Sequence, residues 1–123
     1  MNMSTPLYNY HIEVLRVIDG DTIEVMVDYG FDQFGKETIR LYDIDTPETR
    51  GSNVDKIRGP LATMFTINWL DGETADGFFP TGLIMNSRKY NPRGKYGRAL
   101  ADIYRPDDPI SLNEALIAAG HQK

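Results

Sequence analysis

The sequence predicts a mainly β fold with helices (α+β): a five-stranded Greek-key barrel of the OB type, with one helix between strands three and four and a second helix at the C-terminus. Three observations carry that prediction. Short apolar runs with strand character, joined by turn signals, occupy the chain up to Asp45. A helical period replaces them between Asn53 and Leu70. Two further apolar runs and a helix with capping-box spacing complete the order. With 123 residues the chain most simply makes one domain, 1–123, with 1–10 as a lead-in and 88–97 as a basic loop.

The first strand spans Tyr8 to Ile18, with Ile12, Val14 and Ile18 on one parity and Leu15 and Val17 on the other, which predicts burial over much of both faces. Asp19-Gly20 then signals a hairpin into Thr22 to Val27, where Ile23, Val25 and Val27 share a face. Tyr29 to Lys36, with two glycines, is expected to be a looser connection before the third strand, Glu37 to Ile44. Leu61, Met64, Phe65, Asn68 and Trp69 fall at helical spacings, with Pro60 near the start and Asp71-Gly72 at the end, so a helix is expected from about Gly59 to Leu70 with Met64, Phe65 and Trp69 in its core. Glu73 to Gly77 follows as a turn. Phe78 to Asn86 is apolar enough for a fourth strand that Pro80 and Gly82 either demote or force to an edge, and Arg98 to Tyr104 makes the fifth. Ser111 and Glu114 cap a last helix with Leu112, Ala115, Leu116 and Ala119 on one face, stopped by Gly120.

Composition excludes several chemistries. With no cysteine there is no disulfide, thiolate zinc site or cysteine nucleophile, which leaves oxygen-ligand metals or the two histidines. His11 and His121 have no partner at ligand spacing and are expected at the surface or an edge. The net charge of -5 argues against a generic nucleic-acid coat. Its distribution is polarised, because Arg88, Lys89, Arg93, Lys95 and Arg98 form a local +5 without an acid, interleaved with Tyr90 and Tyr96. An acidic rim facing a basic, aromatic loop suits a phosphodiester. Met1 to Tyr10 lacks the pattern of a signal peptide and no window of about 18 apolar residues exists, which predicts a cytoplasmic protein with no membrane association.

The stretch Ile39 to Glu48, I-R-L-Y-D-I-D-T-P-E, carries the most chemistry. A proline cannot donate to a ladder, so the strand should end near Asp45 and deliver Asp45 and Glu48 to a rim beside Arg40. Paired carboxylates beside an arginine suggest a metal and a phosphate. Arg40 and Asp45 are five apart, so a regular strand would point them to opposite faces. A shared site therefore requires the strand to bulge or end around Tyr42 to Ile44.

V-I-D-G-D-T at Val17 to Thr22, I-R-L-Y-D-I-D-T-P-E at Ile39 to Glu48 and K-Y-G-R-A-L-A at Lys95 to Ala101, supported by S-L-N-E-A-L at Ser111 to Leu116, resemble the staphylococcal nuclease (thermonuclease) family from about His11 to Gly120. The resemblance implies a calcium-dependent nuclease that hydrolyses DNA or RNA with little sequence preference and leaves 3′-phosphate ends. It implies that Asp21 and Asp45 are calcium-ligating carboxylates, that Thr46 offers its backbone carbonyl, and that Asp19 is an acid behind them. Glu48 matches the general base, Arg40 and Arg98 match the clamp on the scissile phosphate, and Lys95 and Tyr96 match contacts to a neighbouring phosphate. Arg93, in the same basic loop, is grouped with them as nucleic-acid-binding.

The chain departs from the family pattern in its longer Tyr29 to Lys36 connection, its acidity, and its stop at Lys123, where relatives continue into nucleotide-stacking tyrosines and a further helix. A short form lacking that helix is expected to bind substrate more weakly, and a homo-oligomer or partner is expected over the surface left. Short unsecreted members of the family occur on phages and plasmids. Taken singly the motifs have plain structural readings: Asp19-Gly20-Asp21 as a hairpin turn, Asp45 to Glu48 as the start of a loop, Arg40 as a snorkelling strand residue. Their co-occurrence favours the metal site. The alternative function is a non-catalytic nucleic-acid or protein-binding OB-fold module.

Overall fold

The computed structural model describes residues 8–47, 55–71, 82–87, 97–106 and 108–122. The strands are β1 (Asn9–Asp19), β2 (Thr22–Gly30), β3 (Gln33–Leu41), β4 (Leu83–Ser87) and β5 (Ala99–Tyr104). Helix α1 (Asp55–Asp71) lies between β3 and β4, and α2 (Leu112–Ala118) follows β5. The strands close into a barrel in the order β1-β2-β3-β5-β4. Every neighbouring pair is antiparallel except β3 and β5, which run parallel with Ile39 opposite Ala99 and Leu41 opposite Ala101. This is the OB-type α+β barrel that the sequence predicts.

Alternation fills the barrel. Ile23, Val25 and Val27 of β2, Ile39 and Leu41 of β3, Leu83 and Met85 of β4, and Ala99, Ala101 and Ile103 of β5 are all buried, one parity per strand. Burying an aliphatic side chain of this size contributes about 1.5–3 kcal/mol. In β1 the expected two-sided burial does not occur. Ile12 and Val14 point inward, Leu15 is exposed, and the register shifts between Val14 and Arg16 and again between Val17 and Asp19. These bulges change the parity and bend the strand, which lets one long strand pair with both β2 and β4.

The expected loose connection at Tyr29 to Lys36 is a continuation of the β2–β3 hairpin. Asp28 pairs with Phe34 and Gly30 with Gln33, and Phe31 and Asp32 turn the chain at φ 55 and 60. Positive φ at both turn residues matches the twist of the flanking strands. Asp28 Oδ1 accepts the Gly30 N–H at 2.8 Å, and the Tyr29 ring lies across Gly35 and packs edge-on to Tyr10. The third strand correspondingly starts earlier than expected and ends at Leu41 rather than Ile44.

Helix α1 begins at Asp55, one turn before the expected Gly59, so Pro60 lies inside it. Its buried face is Gly59, Ala62, Thr66, Trp69 and Leu70, while Met64 and Leu61 are exposed and Phe65 is partly buried. Met64 is therefore not core. The face is chosen by a close approach to the β1–β2 turn: a Cβ on Gly20 would lie 2.9 Å from the Ala62 Cβ and 3.0 Å from Thr46 Oγ1. Thr66 Oγ1 donates to the Gly20 carbonyl at 2.6 Å and fixes that contact. The Arg105 guanidinium stacks 4.2 Å from the Trp69 ring centroid.

The strand expected from Phe78 is described only from Leu83, so Phe78 to Thr81 and the turn at Glu73 to Gly77 lie outside the described residues; the described part is not an edge, because barrel closure pairs it with β1 on one side and β5 on the other. At α2 Ser111 caps the helix as expected: its Oγ accepts the Glu114 N–H at 3.1 Å. Gly120, at φ 82, ends the helix by donating to Ile117, and His121 donates its N–H to Leu116. Leu112 and Leu116 close one end of the core, while Ala119 is exposed. His11 is exposed on β1, whereas His121 packs its ring against Phe65 with centroids 5.0 Å apart.

Candidate active site

The site forms where β3 stops. Leu41 donates its N–H to the Asp21 carbonyl at 2.8 Å and Tyr42 to the Ala101 carbonyl at 2.9 Å; the chain then turns through Asp43 at φ 59. The alternation required to break between Arg40 and Asp45 does so here, and both side chains reach one point. Arg40 Nη1 lies 3.2 Å from Asp21 Oδ2, and Nη2 lies 3.3 Å from Asp45 Oδ1. Nη1 also donates to the Leu41 carbonyl at 3.1 Å and to the Ile44 carbonyl. One guanidinium thus joins two carboxylates and ties down the turn between them.

Asp21 sits in the β1–β2 turn and is buried. Its Oδ1 accepts from Thr22 Oγ1 at 2.8 Å and its Oδ2 from the Thr46 N–H at 2.9 Å. That second bond brings Thr46, which is buried, against the hairpin; its Oγ1 has no hydrogen-bond partner among the described residues. Asp45, by contrast, has a side chain 59% exposed. Arg98, half-buried just before β5, lines with Arg40, Tyr42 and Asp45 a cavity of about 530 Å³. Asp19 ends β1 opposite Thr22. Glu48, Arg93, Lys95 and Tyr96 lie outside the described residues.

The donor set suits a hard cation. Asp21 and Asp45 offer only oxygen, and both already converge on one positive group, the Arg40 guanidinium. Among the described residues no three His, Cys, Asp or Glu side chains gather at one point, so these two carboxylates leave most of a cation's ligand positions to backbone carbonyls, water or substrate oxygen.

Three further residues that sequence reasoning passed over hold the site. Asn113, buried on α2, accepts the Ile103 N–H through Oδ1 and donates through Nδ2 to the carbonyls of Tyr42 at 2.9 Å and Ala101 at 3.3 Å. Gln122, which also lines the cavity, accepts the Asp45 N–H on Oε1 at 3.3 Å, and its own carbonyl accepts from Arg58 Nη2 at 3.1 Å. Asn113 lies inside the S-L-N-E-A-L segment, which marks it as a candidate; nothing in the sequence around Arg58 or Gln122 does so.

The chain is thus a closed OB-type barrel that carries a carboxylate pair and two arginines at one rim. Residues 38–122 match the family described as staphylococcal nuclease homologue, and the chain belongs to that family. Over 110 residues it is 33% identical to an uncharacterized endonuclease of Escherichia coli O157:H7, covering 89% of this chain and 58% of that protein. It is 34% identical over 103 residues to the thermonuclease of Staphylococcus intermedius, covering 83% and 53% of the two chains. Protein ParB of Escherichia coli is 30% identical over 115 residues, covering 88% and 53%. The chain spans about half the length of these curated relatives.

Proposed function

We propose that this protein is a calcium-dependent phosphodiesterase that hydrolyses DNA or RNA with little sequence preference. The observation that carries the reading is Arg40 held between Asp21 and Asp45 at the rim of a cavity that Arg98 also lines. The names endonuclease and thermonuclease on two relatives support the reaction class. Asp21, Asp45 and the Thr46 carbonyl are the groups that would hold the calcium ion, which when bound supplies positive charge beside the phosphate. Arg40 and Arg98 grip phosphate oxygens and stabilise the negative charge that builds on them as the bond to phosphorus forms. Arg40 does so by giving up its ion pairs with the two carboxylates. Glu48 removes the proton from the attacking water, and Arg93, Lys95 and Tyr96 contact neighbouring phosphates. Asp19 supports the turn that carries Asp21.

The test is incubation of the protein with single- and double-stranded DNA and RNA in calcium, in magnesium and in chelator. Cleavage in calcium is expected, with Glu48→Gln and Arg40→Ala each slower by about 100-fold or more. No cleavage of any substrate in calcium, or full activity in Glu48→Gln, overturns the enzyme reading in favour of a binding module.

A further inference from the structure

We infer that Gln122 is a positioning residue of the site, bracing the loop that carries Asp45 and so setting the affinity of the two carboxylates for a divalent cation. The inference rests on the calcium reading above and concerns a residue outside every motif.

The loop between Leu41 and Thr46 has left the β-ladder, so its backbone groups must be satisfied one by one. Tyr42 N–H is bonded to Ala101, the Tyr42 carbonyl to Asn113, the Ile44 carbonyl to Arg40, and Thr46 N–H to Asp21. Asp45 N–H is the group that adjoins the ligand carboxylate itself, and its acceptor is the Gln122 side chain at 3.3 Å. The amide orientation follows from the partner, because an N–H requires the oxygen to face it.

Gln122 is in turn located from two directions. Gly120 at φ 82 reverses the chain after α2, and His121 packs against Phe65 of α1. Arg58, also on α1, then donates to the Gln122 carbonyl at 3.1 Å. A chain of contacts therefore runs from α1 through the segment after α2 to the Asp45 amide. Gln122 is exposed and packs into no core, so its contacts contribute little to holding the barrel together. What they fix is the direction in which Asp45 leaves the loop. Asp21 is buried and held by Thr22, Thr46 and Arg40, so the second carboxylate sets whether the pair meets a cation in register.

The test compares the parent with Gln122→Leu, Gln122→Glu and Arg58→Leu by calcium titration calorimetry, by thermal unfolding in chelator, and by hydrogen exchange at the Asp45 amide. Gln122→Leu removes the acceptor and is expected to weaken calcium binding about three- to tenfold, with the chelator Tm unchanged and faster exchange at Asp45 alone. Gln122→Glu keeps an acceptor oxygen and is expected to retain both the protection and the affinity. Arg58→Leu should shift affinity in the same direction as Gln122→Leu by a smaller factor. Parent-like affinity and parent-like Asp45 exchange in Gln122→Leu overturn the inference, as does a fall in chelator Tm that accounts for the whole loss. A parent that takes no calcium sinks the proposed function and the claim on affinity together. That result is told apart from failure of the brace by the Asp45 amide, which then still exchanges faster in Gln122→Leu.

Discussion

Asp21 holds three groups at the rim. Its carboxylate accepts the Thr22 hydroxyl and the Thr46 N–H and faces the Arg40 guanidinium, all at a buried position. Asp21→Asn preserves the shape but removes the charge that Arg40 faces, and its NH2 group can be satisfied only on the side of the Thr22 hydroxyl, because the Thr46 N–H and the Arg40 guanidinium only donate. The expected loss is about 1–3 kcal/mol of folding stability, measured by urea unfolding in chelator, since the buried carboxylate no longer balances the guanidinium. At this scale the sequence was legible where chemistry is local. Asp21, Arg40, Asp45 and Thr46 each lie in a short motif and meet at one rim, and the break in β3 follows from the parity conflict between Arg40 and Asp45. Asn113 and Gln122 were not legible, because each reaches a partner more than 70 residues earlier and an asparagine or glutamine carries no mark of its partner.

The elements show a different division. The β2 alternation is strict, and its burial followed directly from it; β1 has apolar residues on both parities, and only its bulges decide which are inside. Helix α1 has apolar residues around much of its circumference, so a period of 3.6 fits two registers. The choice between them is made by Gly20, a residue distant in sequence, whose missing side chain lets Ala62 and Thr66 approach the β1–β2 turn. Gly20→Ala tests that account. The added methyl would meet the Ala62 backbone carbon at 3.1 Å as well as its side chain, and helix backbone cannot step aside as a flexible side chain can. A destabilisation of about 1–3 kcal/mol is expected by denaturant unfolding. The same methyl presses on Thr46, so calcium affinity should fall along with stability. A variant as stable as the parent would place the helix farther from the turn than described. The β2–β3 hairpin eluded sequence reasoning for a related reason: Phe31-Asp32 is not one of the glycine or asparagine pairs that announce such a turn, yet ladder pairs continue on both sides of it.

At the scale of the molecule, the barrel brings together residues that the sequence keeps far apart. Antiparallel β1–β2 pairing places Asp21 at the same rim at which β3 ends, and the parallel β3–β5 pairing brings Arg98, just before β5, to that rim as well. The rim is therefore assembled only when the barrel closes, so the proposed cation binding would be a probe of the folded state. A ligand that binds the native and not the unfolded chain adds stability as the logarithm of its concentration, about 2.7 kcal/mol at one hundred times its dissociation constant. Thermal unfolding should accordingly shift to higher temperature with calcium and return to its starting value on adding chelator. The two carboxylates contribute differently to this. Asp45→Asn alters a side chain that is 59% exposed, so it should leave the chelator Tm close to the parent's while abolishing most of the calcium shift. Asp21→Asn should lower the chelator Tm as well. Equal calcium shifts in the parent and in Asp45→Asn would show that calcium binds elsewhere, and that Arg40 joins these carboxylates only to hold the end of β3 in place.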